Sequence, residues 1–141
     1  MTGTNIKLVY WTLAVHDLDA ALGFYRDVLG FQIQDDVEVE GMRSVSVSPP
    51  RQPDVRIVLE PPGGNRSARP TDRQSITDLM ADGLLGRLVF VTDNCDATFE
   101  HIEASGADVI QEPINQPSGA RDCAFRDPSG NILRFAQPHD R

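Results

Sequence analysis

The sequence predicts an α+β fold built from two copies of strand–helix–strand–strand–strand. Three observations carry that reading. The 141 residues leave room for one domain, or for two small repeated halves. Apolar positions switch between the two-residue spacing of strands and the three- and four-residue spacing of helices. Finally, Val15-His16-Asp17 lies 76 positions before Val91-Thr92-Asp93, and Gly30 lies 76 before Gly106, so a strand end, helix start and helix stop recur together.

Taken in order, Ile6 to Val15 is rich in β-branched and aromatic residues and reads as a strand. Leu18, Ala21, Leu22, Tyr25, Val28 and Leu29 then form one apolar helical face. Asp17 is suited to cap that helix, and Gly30 to close it in the left-handed conformation. Extended pieces follow at Phe31–Val39, Met42–Ser48 and Val55–Glu60. Pro61 to Pro70 reads as a loop. A short helix is predicted from Thr71, where Thr71-Asp72-Arg73-Gln74 fits a capping box, with Ile76, Leu79 and Met80 inward and Gly83 and Gly86 ending it. The second copy runs from a strand at Leu88–Thr92 through a helix with Phe99 and Ile102 on one face, closed by Gly106. Extended pieces at Ala107–Glu112, Arg121–Phe125 and Asn131–Gln137 complete it, with Asp127-Pro128-Ser129-Gly130 forming a type I turn.

Composition narrows the function. A chain that is 40% hydrophobic and 24% charged has the make-up of an ordinary soluble protein. At this size it needs neither disulfide nor metal to hold a core. Thirteen basic against twenty-one acidic residues give a net charge of −8, which argues against nucleic acid and anionic membranes as partners. Cys95 and Cys123 lack metal spacing and read as reduced thiols. The start has no signal-peptide profile, so a cytoplasmic protein is expected.

Two stretches carry a resemblance. Leu13-Ala14-Val15-His16-Asp17-Leu18 with Phe24-Tyr25-Arg26-Asp27-Val28-Leu29-Gly30-Phe31 resembles the opening module of the vicinal-oxygen-chelate superfamily, which contains the glyoxalase, bleomycin-resistance and extradiol-dioxygenase proteins. Ser105-Gly106-Ala107-Asp108-Val109-Ile110, Glu112-Pro113 and Arg126-Asp127-Pro128-Ser129-Gly130-Asn131 look like its second module. The resemblance covers Ile6 to Gln137 and implies two βαβββ modules whose mixed sheets line a cup, with helices outside. Within a single domain of residues 1–141, the modules fall at 6–60 and 86–137, joined by a linker with a short helix at 61–85.

Metal-dependent members of that superfamily supply a His from each module's first strand and a Glu or similar ligand from its last. Those positions fall here on Tyr10, Glu60, Arg87 and Arg134. A guanidinium has no lone pair to donate and stays charged, so it repels a cation. His16, His101 and His139 do not restore the set. No metal and no other cofactor is therefore expected.

Strand alternation extends the candidate site. Tyr10, Thr12, Arg56, Val58 and Glu60 face the cup from the first module, and Arg87, Val89, Ile132 and Arg134 from the second. Trp11, Leu13 and Val15 face the helix. Glu60 is expected to pair with Arg87 or Arg134, leaving the other arginine for an anionic or carbonyl-bearing ligand. Cys123 reads as an inert thiol, Arg121-Asp122 as a structural ion pair or rim, and the acidic run from Asp35 to Glu40 as a solvated face. The leading function is that of the bleomycin-resistance branch: metal-independent binding or sequestration of a small molecule, by a homodimer. The alternative is an enzyme, either a metal-dependent lyase or dioxygenase, or a metal-free acid–base catalyst using Glu60 and Tyr10. A third reading is a structural or partner-binding module.

Overall fold

The computed structural model describes residues 3–64 and 67–139. Its strands are β1 (Tyr10–Ala14), β2 (Gln32–Val39), β3 (Met42–Ser48), β4 (Arg56–Glu60), β5 (Arg87–Val91), β6 (Asp108–Asn115), β7 (Arg121–Arg126) and β8 (Ile132–Gln137). They form two four-stranded sheets, ordered β1-β4-β3-β2 and β5-β8-β7-β6. Each is mixed: β1 pairs β4 in parallel and β5 pairs β8 in parallel, while the hairpins are antiparallel. The predicted double βαβββ architecture is therefore observed.

The helices are α1 (Leu18–Leu22), α2 (Pro70–Ala81) and α3 (Cys95–Ala104). Asp17 caps α1 as expected, its carboxylate accepting from the Ala20 N–H at 3.0 Å. From Gly23 to Val28, however, the helix widens into π geometry, with the Leu29 N–H donating to Phe24 O five residues back. The repeat explains why. The second helix is capped by Asn94, 77 residues after Asp17, yet both helices end on left-handed glycines, Gly30 and Gly106, that are 76 apart. The first copy thus holds one extra residue, and the π turn absorbs it. The strand equivalence accordingly shifts by one from the 76-residue alignment, placing Tyr10 opposite Arg87 in the repeat.

Other expectations need correction. The first strand is shorter than Ile6–Val15, and Ile6 and Leu8 stand 81% and 64% exposed before it. Trp11 is exposed rather than packed on the helix. Helix α2 begins at Pro70, whose fixed φ suits the first helical position, and the capping box joins Arg69 to Asp72, not Thr71 to Gln74. Met80 is buried and Ile76 half-buried, but Leu79 faces out.

One apolar core serves both modules. Leu13, Val45, Val47, Ile57 and Leu59 enter from the first sheet, and Phe125, Leu133 and Phe135 from the second. Phe31 meets Phe90 edge-on at 5.5 Å between ring centroids, and Phe90 stacks on Phe135 at 5.4 Å, so the aromatic contact crosses the module boundary. A polar seam reinforces it. The Tyr25 hydroxyl donates to Asp127 Oδ2 at 2.7 Å, and the Asn131 side-chain amide donates to Ala14 O at 2.9 Å. No described helix is long and apolar enough to cross a membrane.

Candidate functional site

With the alternate residues of β1, β4, β5 and β8 committed to the core, their neighbours in sequence line the opposite, open faces. On the first sheet, pairing sets Tyr10 beside Arg56, Thr12 beside Val58, and Ala14 beside Glu60. Ser46 continues the middle row beyond Val58. Arg56 Nη1 lies 2.8 Å from Asp35 Oδ2, and the Ser46 hydroxyl accepts from the Asp35 N–H at 3.1 Å. On the second sheet, Arg87 lies beside Ile132, Val89 beside Arg134, and Val91 beside Ala136. Val89 and Val91 are 70% and 73% exposed, an aliphatic strip along an edge strand.

The expected charge pairing is different. Arg134 is held by Asp122, with Nη1 3.3 Å from Asp122 Oδ2, and the same nitrogen donates to Gln111 Oε1 at 3.0 Å. Asp122 is buried and accepts side-chain amide hydrogens from Gln111 at 2.8 Å and Gln116 at 2.9 Å. Burial alone would raise its pKa, but those two amides and the Arg134 charge hold the carboxyl below the usual range. Arg87 is exposed and makes no ion pair among the described residues. No guanidinium reaches Glu60 among them either. Burial pushes the Glu60 carboxyl above its ordinary pKa, and the chain at Gly64 closes on it so tightly that a Cβ there would sit 2.6 Å from Oε1. A nearer acid defeated the sequence-based pairing: Asp122 sits two residues before Ala124, the cross-strand neighbour of Arg134 on β7.

Register also separates the two groups of the acid–base alternative. Tyr10 sits at the Arg56 end of the β1–β4 pair and Glu60 at the Ala14 end, four residues apart or about 13 Å along the strands. No direct proton relay spans that distance. The two last-strand positions matched above, Glu60 and Arg134, also occupy different rows, since Arg134 is level with Val89 and Glu60 with Ala14.

The donors do not fit a divalent ion. Among the described residues no three His, Cys, Asp or Glu side chains converge. His16 Nδ1 lies 3.0 Å from the Ser129 hydroxyl, and His101 Nε2 lies 2.7 Å from Val28 O, so both are engaged elsewhere. Burial pushes the Cys123 thiol up to about 12, which makes it unreactive at neutral pH. Clefts among the described residues include three of about 710, 680 and 420 Å³. Of the nine predicted lining residues only Val89 borders one of them, the 680 Å³ cleft, where it joins Val91, Phe90, Phe31 and Phe135. The remaining eight border none of the three: Tyr10, Thr12 and Arg87 are exposed, and Arg56, Val58, Glu60, Ile132 and Arg134 are half-buried. Gln111 and Gln116 went unpredicted because the β6–β7 pairing that brings them to Asp122 shifts register twice. Arg121 and Asp122, expected as a structural ion pair or rim, pair with Asp96 and Arg134 respectively.

Residues 7–135 match the Glyoxalase/Bleomycin resistance protein/Dioxygenase superfamily. The chain belongs to it. Among solved structures of this superfamily's shape, UcmS2 is 31% identical, covers 96% of this chain and 100% of its own, and superposes with a TM-score of 0.87. TnmS3, an antibiotic binding protein from Streptomyces sp. CB03234, is 27% identical with 96% and 99% coverage and a TM-score of 0.75. YurT of Bacillus subtilis (strain 168), an uncharacterized protein, is 26% identical over 133 residues, covering 94% of this chain and 99% of its own. Membership implies a potential small-molecule-binding cup.

Proposed function

We propose that this protein binds and sequesters a small molecule on its open sheet faces without a metal ion. One observation carries the reading: of the four positions to which the resemblance assigns metal ligands, Tyr10, Glu60, Arg87 and Arg134, only Glu60 bears a carboxylate, and Arg134 is locked into a protein network of its own. The likeness to TnmS3, an antibiotic binding protein, supports sequestration as the task. The ligand surface comprises Tyr10, Thr12, Arg56, Val58 and Glu60 on one sheet, with Arg87, Val89, Ile132 and Arg134 on the other. Two copies complete it as a cytoplasmic homodimer. The exposed apolar arm at Ile6 and Leu8 and the edge positions of β1 and β5 support pairing with another chain. The acidic net charge of −8 favours neither nucleic acid nor membrane as a further partner.

The test uses the neutral fluorescent dye phenylnaphthylamine. Wild-type protein is expected to take it up saturably and equally with and without EDTA, and Val89→Glu to abolish uptake while keeping the native circular dichroism spectrum. Absence of saturable uptake, or its loss in EDTA, would overturn the proposal.

A further inference from the structure

Arg134 is half-engaged, as Arg56 is on the other sheet, where Nη1 alone meets Asp35; Arg134 differs in that its acid is buried. Four arginines grip an aspartate side-on with Nε and Nη2: Arg26 on Asp27, Arg43 on Asp36, Arg69 on Asp72 and Arg121 on Asp96. Arg134 instead turns Nη1 to Asp122 and Gln111. Among the described residues nothing meets its Nε or Nη2. The planar guanidinium fork binds a carboxylate or sulfonate best through that Nε–Nη2 edge, with two parallel hydrogen bonds. The side chain is 33% exposed, lies on the open face, and borders the aliphatic strip of Val89 and Val91.

Its anchor is rigid. Asp122 is 7% exposed, and it receives Gln111, Gln116 and Arg134 together. Such a clamp removes the rotamer freedom that an arginine would otherwise lose on binding. It does so through Nη1, which leaves Nε and Nη2 without a partner among the described residues.

We propose that the ligand bound on this face is an apolar molecule bearing an anionic oxygen pair, which Arg134 reads through Nε and Nη2, and that Asp122 and Gln111 act as positioning residues for that contact. The inference rests on the small-molecule-binding reading above.

Two dyes separate the inference from that reading. Anilinonaphthalene sulfonate carries the same kind of fused rings as phenylnaphthylamine plus a sulfonate. Arg134→Gln should lower affinity for the sulfonate dye roughly tenfold relative to that for the neutral dye. Arg134→Lys keeps the charge but lacks the planar edge, and should lose most of the same discrimination. Asp122→Asn gives the sharpest sign. Removing a nearby negative charge raises anion affinity if only net charge matters, whereas loss of the clamp lowers it. A lowered ratio of sulfonate to neutral-dye affinity in all three variants supports the inference. An unchanged ratio in Arg134→Gln, or a raised one in Asp122→Asn, overturns it. Wild type taking only the neutral dye overturns the inference while leaving the binding reading in place; wild type taking neither overturns both.

Discussion

Tyr25 is fully buried, and both burial and the neighbouring Asp127 carboxylate push its phenol well above the ordinary value, so it donates and does not ionise. Asp127 also accepts from the backbone N–H groups of Ser129 and Asn131. Tyr25→Phe removes one donor and leaves the others, so it should lower the unfolding free energy by about 1–2 kcal/mol, read as a smaller urea midpoint at constant slope. Glu60 gives a pH-dependent prediction. Its folded pKa is raised from 4.5 by burial, so the fold favours the protonated form, and stability is lost as pH rises through the unfolded value towards the folded one. Glu60→Gln should therefore melt higher than wild type at pH 7 and level with it at acidic pH below that value. A gap of equal size at both pH values would mean that ionisation is not the cause. At this scale the sequence was informative where one residue acts on its near neighbours, as Asp17 does at its helix start. Arg134 was misread because its acid comes from the neighbouring strand β7, and which strand lies beside β8 and in what register is set by tertiary pairing that no local pattern encodes.

The elements were legible where periodicity and punctuation agreed: β3 keeps the expected bounds Met42–Ser48, although Ser46 and Ser48 are buried along with Val45 and Val47, and Gly30 and Gly106 stop their helices. The π turn was not, although its cause lies in the chain as one extra residue between helix cap and glycine. Helix α2 was misjudged at its start because Thr71 and Gln74 are the usual capping-box residue types, whereas Arg69 and Asp72 form the box and Pro70 takes the first helical position. Packing between elements is tightest before β5, where a Cβ on Gly86 would stand 2.0 Å from Asn131 Oδ1. Gly86→Ala should cost about 1–3 kcal/mol in chemical denaturation. The loss should shrink in an Asn131→Ala background, because the two positions share one space. Full additivity would place the strain elsewhere.

For the whole molecule, the repeat announced the architecture, while the placement of the clefts could not be read from strand parity alone. Parity assigns a face, but the depth of that face depends on what else stands over it. The exposed arm before β1 and the strip on β5 fit a surface completed by a second copy. Sedimentation equilibrium should return a dimer, and Leu8→Glu should weaken it at least tenfold, since a buried charge there would lack a partner. A monomer at all concentrations would remove the partner chain from the account.

Calorimetric titration of the purified, EDTA-stripped protein with Zn²⁺, Ni²⁺ and Mn²⁺ reaches the main question directly. With arginines at residues 87 and 134 and no three His, Cys, Asp or Glu side chains converging among the described residues, none of the three ions should bind stoichiometrically below micromolar concentration. One tightly held ion per chain, lost on Glu60→Gln, would contradict the account.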